Sequence, residues 1–386
     1  MVILKKCEEY QLDLVKTITK EALEELNFFN DVKEDSRVFI KLNLVGPFPK
    51  ETGITTHPVI LQAVIQLVKE KTNKIIDGDN PATRDMIYTL KKCNLYDVIQ
   101  EENVELLEGT IFEKITNSNP KIYSTFEVSK QMVDTDVLIN LPKLKTHTLA
   151  YMTAAQKNFF GLIYGLDKSS WHAKASNPLQ FGEAINDLYG AFLEKFKDKQ
   201  IYHICDGIIG LEGEGPTSGG NPIKANCLLI SKDAVALDRV ACEVASLDYS
   251  KLFINKIAND RKYGNGDINE IKIIGNQLSD FNDIKFKAPK DSLSHIGLRL
   301  LQLKPIKNLL LEHPKFIKDK CIKCGECVKI CPPHALSIKK KEFPNIKSLS
   351  CIRCWCCAEV CPQNAIDRTK RPLLGKIFLK TDKKKK

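Results

Sequence analysis

Eight cysteines in the last quarter of this 386-residue chain have the spacing of a metal-cluster site. They fall in two runs, Cys321-Ile-Lys-Cys324-Gly-Glu-Cys327-Val-Lys-Ile-Cys331-Pro332 and Cys351-Ile-Arg-Cys354-Trp-Cys-Cys357-Ala-Glu-Val-Cys361-Pro362. Each matching cysteine of the second run lies 30 positions after its counterpart, so the stretch is an internal repeat. Three thiolates two residues apart let one tight loop wrap three corners of an iron–sulfur cubane. The fourth cysteine heads the next helix, faces away from that loop and ligates the other cluster. The spacing therefore gives one 4Fe-4S cluster to Cys321, Cys324, Cys327 and Cys361, and a second to Cys351, Cys354, Cys357 and Cys331. A Pro after each fourth cysteine suits a first helical turn. Zinc sites want a longer gap between ligand pairs, and disulfide frameworks belong to short secreted chains. Cys356 is off register, opposite Glu326 of the first repeat, and reads as a bystander that could replace a damaged ligand.

A second set of reactive side chains is scattered over the first 220 residues. Lys41 and Asn43 close an apolar run; His57 precedes Pro58; Lys143, Lys145 and His147 follow another run, with Lys157 and Asn158 shortly after. Asp206, Glu212 and Glu214 add negative charge. Lysines beside glycines and helix N-termini suit an anionic ligand, a phosphate or a carboxylate. The acids could hold a divalent metal between themselves and that anion. Taken singly, such residues are usually solvated loop tips, and Asp206 suits a turn. Their recurrence at strand ends points to a site.

The elements that must position them alternate. Leu12 to Leu26 has helical spacing, and Arg37 to Leu44 reads as a strand. Thr56 or His57 can cap a helix that starts at Pro58 and continues through Ile60, Val64 and Val68. Lys74 to Ile76 is the next strand, so the segment is a βαβ unit with parallel pairing. Val137–Leu141, Ile201–Cys205, Cys227–Ile230 and Ile271–Ile274 read as further strands, with loops opening at Pro142, Asp206 and Ser231. The expected fold is α/β, a largely parallel sheet covered by helices, joined to a small α+β two-cluster domain. Ligands of open α/β sheets bind beyond the carboxyl ends of the strands. The expected division is an α/β ligand-binding domain over 1–288, a helical linker over 289–317, the cluster domain over 318–368 and a basic tail over 369–386.

Composition narrows the classes. Hydrophobic content of 43% supplies a sizeable core, and no apolar run reaches membrane-spanning length. Six cysteines scattered outside the cluster positions fit a reducing, cytoplasmic setting. From residue 289 onward 23 Lys and Arg face 8 Asp and Glu, net +15, whereas residues 1–288 carry 35 against 40, net −5. A basic surface around the clusters would steer an acidic ferredoxin or flavodoxin toward them. The tail could touch anionic lipid. Nucleic acid is disfavoured because no aromatics interleave with its lysines. P-loop, dinucleotide, zinc-protease and serine-hydrolase signatures are absent.

Residues 319–368 resemble a bacterial-type two-cluster ferredoxin, which implies low-potential one-electron transfer. The phrases Ile40-Lys41-Leu-Asn43-Leu, Thr55-Thr-His-Pro58, Asn140-Leu-Pro142-Lys143-Leu-Lys145-Thr-His147, Gln156-Lys157-Asn158-Phe-Phe-Gly161 and Asp206-Gly207 through Gly215-Pro216 resemble a bacterial and archaeal family described as a domain of unknown function, number three-six-two. That resemblance covers about residues 2–245 and implies a fold and a polar site, with no reaction attached. The expectation is an iron–sulfur protein delivering electrons to an anionic substrate or cofactor in the α/β domain, a candidate ferredoxin-dependent oxidoreductase. The alternative is a non-enzymatic binding, sensing or cluster-delivery module.

Overall fold

Apolar runs without polar interruption build one large sheet in the computed structural model, which describes residues 1–81, 85–108, 111–163, 171, 175, 177–290, 308–339 and 342–378. In chain order the strands are β1 (Val2–Lys6), β2 (Val38–Lys41), β3 (Ile75–Gly78), β4 (Glu105–Leu106), β5 (Phe112–Thr116), β6 (Thr125–Ser129), β7 (Val137–Asn140), β8 (Lys143–His147), β9 (Tyr151–Thr153), β10 (Gln200–Gly213), β11 (Gly220–Ser231) and β12 (Ile273–Gly275). The sheet order is β12-β1-β11-β10-β7-β2-β3-β4, with β8 against β10, β9 against β8, and β5–β6 a separate hairpin. The run β10-β7-β2-β3-β4 is parallel throughout.

Both faces of that run are covered, as parallel strands require. Val38, Ile40, Val137 and Ile139 face the helices Leu12–Glu25 and Pro58–Lys69. The intervening Phe39 and Leu138 face the opposite core, built on the helices Pro178–Lys195 and Ala234–Val244. The fold is therefore α/β, and the expected βαβ unit is β2, Pro58–Lys69, β3. His57 caps that helix, its Nδ1 accepting the Val59 N–H at 3.2 Å, with Pro58 in the first turn.

Three expectations need correction, the first being the loop expected to open at Pro142, where Lys143–His147 is instead strand β8, paired with β10 and β9. The strand expected to open into a loop at Asp206 continues to Gly213 and forms a long antiparallel hairpin with β11. A register shift between Gly207 and Ile209 absorbs the local irregularity. A Cβ at Gly207 would meet the Cys227 sulfur at 2.6 Å, so glycine keeps the strand continuous there. The linker expected over 289–317 falls largely on residues 291–307, outside the described residues. Its far end is strand: β13 (Pro314–Phe316) pairs with β16 (Ile366–Arg368), so the C-terminal unit starts before its first cysteine. Within this unit β14 (Leu336–Ser337) pairs with β15 (Asn345–Ile346), and its core is made of Cys327, Cys331, Ala335, Leu336, Cys357 and Ile366. The expected tail begins with a short helix, Leu373–Phe378, and residues 379–386 lie outside the described residues.

Candidate functional site

The ends of β3, β2 and β7 are neighbours, so Asp79, Asn43 and Asn140 share one rim of the sheet. An amide relay crosses that rim. Asn43 Nδ2 donates to Asn158 Oδ1 at 2.7 Å, and Asn158 Nδ2 to Asn140 Oδ1 at 2.7 Å. Lys145 Nζ donates to Asn43 Oδ1 at 2.6 Å and to the Ile54 carbonyl at 2.7 Å. Beneath them Lys41 and Asp79 form an ion pair at 2.7 Å, with side chains 1% and 4% exposed. Asp238, whose carboxylate accepts the Ala155 and Gln156 N–H groups, fixes the turn that carries Lys157 and Asn158. Burial pushes the Asp238 carboxyl up to about 7.

Above this floor is a cavity of about 810 Å³, its open mouth included. The α/β domain contributes Asn43, Lys145, His147, Lys157, Asn158 and Phe160; the C-terminal unit contributes Ile330, Cys356, Glu359 and Val360. The Lys157 ammonium lies 4.4 Å from the Phe160 ring centre and 5.5 Å from that of Phe181, and among the described residues no acceptor hydrogen-bonds to it. Burial, set against the attraction of Glu359, lowers its pKa to about 8. Burial first, then the neighbouring Lys157 and Lys143, hold Lys145 well below the ordinary lysine range. Burial raises the Glu359 carboxyl to about 7 against the opposing pull of Lys157 and Lys145. The cavity therefore offers two lysines of lowered pKa, the Glu359 carboxyl group, the Asp79 carboxylate already paired with Lys41, and apolar walls, which suits a small anion with an apolar part.

Not every expected residue belongs here. Lys143 and Asp206 pair at 2.6 Å in a separate buried cluster, where Tyr10 hydroxyl donates to Asp206 at 2.9 Å, accepts from Lys143 at 2.7 Å and stacks on His57 at 3.5 Å. Burial and the charge of Lys143 push His57 down to about 3, so it is neutral. These groups satisfy one another. Glu214 is at the seam between the units, where it accepts the Lys290 N–H and pairs with Arg368 at 2.7 Å, while Glu212 accepts the Lys287 N–H. Ser218 adds a hydrogen bond to the Cys361 carbonyl at 2.9 Å. Of the three acids proposed to share a divalent metal, Asp206 thus stands apart from Glu212 and Glu214. Among the described residues no three His, Cys, Asp or Glu converge to hold a single ion. Thiols around a cubane stand farther apart than around one zinc.

The cysteine loops fit that larger group. A cavity of about 350 Å³ is bounded by Cys321, Cys324, Cys327 and Cys361. Burial, then the thiols of Cys324, Cys361 and Cys321, push the Cys327 thiol up to about 12. Burial likewise raises Cys331, whose thiol neighbours are Cys354 and Cys351. Thiols crowded in these two crossed sets gain by exchanging protons for metal. Equivalent N–H groups, of Ala335 and Ala365, donate to Cys331 and Cys361 sulfur at 3.3 and 3.2 Å. Left-handed backbone recurs at Lys323 and Arg353, and at Gly325 and Trp355, so both loops turn alike.

Residues 38–243 match the family model described as a domain of unknown function, DUF362. The chain is a DUF362 protein. Residues 320–365 match a 4Fe-4S dicluster domain, so this DUF362 chain ends in an iron–sulfur-binding unit. It is 31% identical over 249 residues to the thylakoid-associated protein sll1697 of Synechocystis, spanning 64% of this chain and 75% of that one. Among solved structures it is similar to the lactate racemase apoprotein of Thermoanaerobacterium thermosaccharolyticum, at TM-score 0.40 and 14% identity, covering 64% of this chain and 57% of that one. A protein from Thermotoga maritima matches at TM-score 0.36 and 11% identity, covering 56% and 54%. The DUF362 chain thus spans little more than half of each of these structures. No helix among its described residues is long and apolar enough to cross a membrane.

Sequence reasoning missed Tyr10, Asp79, Asn140, Phe160 and Glu359. Asp79 ends a strand in an Asp-Gly-Asp-Asn run, the same signal that drew attention to Lys41. Glu359 gave no signal, because its partners belong to the other unit.

Proposed function

We propose that this protein transfers electrons from two 4Fe-4S clusters to an anionic substrate or cofactor held in the seam cavity, as a ferredoxin-dependent oxidoreductase in the cytoplasm. The observation that carries the reading is the cavity's double wall: Lys145 and Lys157 face Cys356 and Glu359 across one space. Cys321, Cys324, Cys327 and Cys361 would hold one cluster, and Cys351, Cys354, Cys357 and Cys331 the other; bound there, they supply low-potential one-electron transfer. The protein's own residues do the rest. Lys145 and Lys157 bind the anion, the Asn43–Asn158–Asn140 relay orients it, and Phe160 and Val360 shield it from water. His147 accepts the Leu149 and Ala150 N–H groups through Nδ1, at 3.0 and 3.2 Å, which leaves its proton on Nε2, the nitrogen nearest Glu359.

Anaerobic native mass spectrometry of wild type and K157M tests the reading. The expected result is a small-anion adduct on wild type that is lost in K157M, with that anion reoxidising the reduced protein. No adduct, together with no reoxidation by a panel of carboxylates and phosphates, would contradict it. A second reading has the clusters serving structure or sensing, favoured by the Arg368–Glu214 and Ser218–Cys361 links that join cluster loops to the β10–β11 hairpin.

A further inference from the structure

The two cysteine repeats are alike in sequence and unlike in surroundings. In the first, Ile322 is 61% exposed and Lys323 and Cys324 also face water. At the equivalent places in the second, Arg353 is 5% exposed and Ile352 and Cys354 are half-buried. Arg353 is turned inward, donating to the Ser348 and Cys351 carbonyls at 2.8 and 2.7 Å, and the Arg368 guanidinium covers Trp355 at 4.8 Å. Cys356 and Ile330, neighbours of cysteines in the second set, line the seam cavity, as does Val360 beside Cys361 of the first set; no residue of the Cys321–Cys327 loop does. One loop therefore faces solvent and the other faces the anion site.

The outward loop is ringed by positive charge. Between residues 315 and 324, Lys315, Lys318, Lys320 and Lys323 stand against Asp319 alone, net +3, and all five are exposed. Lys318 and Lys323 both lie over the Phe343 ring, at 5.7 and 4.3 Å, and the adjoining Pro344 lines the cavity of the first cysteine set. The other nearby acids are buried Glu326, which pairs with Lys329, half-buried Glu312, which pairs with Arg368 and Arg371, and exposed Glu342. An exposed apolar side chain, Ile322, inside a cationic rim matches a protein surface with an apolar centre and an acidic rim.

We propose that the Cys321–Cys327 loop is the docking port for an acidic one-electron carrier protein, and that the Cys351–Cys357 loop is the outlet toward the seam cavity. This rests on the electron-transfer reading above and gives it a direction. In the step, the reduced carrier is oxidised by one electron and this protein is reduced by one. No bond forms or breaks. Lys318, Lys320 and Lys323 steer the encounter, and Ile322 seats it.

The test uses the full-length, iron-loaded protein and a pre-reduced acidic 2Fe-2S ferredoxin as the probe. Stopped-flow bleaching of the visible iron–sulfur absorption gives the rate of cluster reduction, and NMR titration of isotope-labelled ferredoxin gives binding independently. K318E/K320E alters neither loop, and K272E in the α/β domain is the charge control. The expected result is a second-order rate about tenfold lower for K318E/K320E at low salt. That difference should close at high salt, with weakened NMR shifts and an unchanged K272E. Reduction by methyl viologen radical, which needs no protein docking, should stay at the wild-type rate. If viologen reduces the clusters but K318E/K320E accepts ferredoxin electrons as fast as wild type, or K272E slows as much, the port is wrong. If neither reductant bleaches the protein, the electron-transfer reading falls with it.

Discussion

His147 Nε2 lies 3.9 Å from Glu359 Oε1, one residue on β8 and the other on the short helix Cys356–Glu359 of the cluster unit. The imidazole is buried, and the carboxylate oxygen has no hydrogen-bond partner among the described residues. A pair at this separation across two units makes the anion site a property of their docking. What holds the units in register is therefore testable apart from the chemistry.

Arg368 joins them by pairing with Glu214, while it covers Trp355 of its own unit. R368A should weaken docking by about 1 kcal/mol, since the pair is mostly buried and charge-assisted. Hydrogen exchange should then speed up over residues 213–220 and 355–359 while the sheet core keeps its protection. Unchanged exchange in those segments would show that the latch contributes nothing.

The Lys143–Asp206 pair is a structural element. Both side chains are at most 1% exposed, so removing one partner strands a buried charge. K143M should cost about 3–5 kcal/mol in denaturant unfolding, and K143M/D206N should recover much of that loss. Equal stability of K143M and wild type would return Lys143 to the list of ligand-binding candidates.

That division between Lys143 and Lys145 could not be read from the sequence. Strands, the parallel βαβ unit and the His57 cap were legible, because buried apolar runs and a Pro at the first helical position are local signals. Lys41 and Asn43 were legible at a strand end, Lys145 and His147 as leaving a strand, and Lys157 and Asn158 as following shortly after, and they meet at or directly beneath one cavity. Whether a lysine faces a cavity or a buried aspartate depends on long-range pairing, here Tyr10 with Asp206, 196 positions apart. Glu212 and Glu214 looked like loop acids because Gly213 and Gly215 flank them; the hairpin instead carries Glu214 to the seam and sets Glu212 against the Lys287 N–H. The cysteine repeat was legible because ligand spacing is set within one loop.

Gly161 closes the floor of the site. A Cβ there would fall 2.4 Å from Asp79 Oδ1 and 2.6 Å from Lys41 Nζ, a buried pair with little room to give. G161A should lower stability by about 2–4 kcal/mol and abolish the anion adduct. A variant as stable as wild type would mean that the pair can move aside.

Lys157 gives the site its pH dependence. Its pKa falls from 10.5 to about 8 in the folded protein, so between these values the unfolded chain binds more protons and stability rises with pH. The cost of the buried charge is present in full below about 8. K157M should therefore be more stable than wild type by about 1–2 kcal/mol at neutral pH, and the gap should narrow as pH climbs toward 10. Unfolding free energies of the two proteins across that range decide it; a gap independent of pH would assign the effect to packing.

Anaerobic iron and sulfide quantification, with EPR after dithionite reduction, addresses the central claim most directly. About eight irons per chain and the signals of two interacting reduced 4Fe-4S clusters are predicted. Zinc, or iron well below that level in anaerobic preparations, would contradict the account and leave a metal-stapled binding protein.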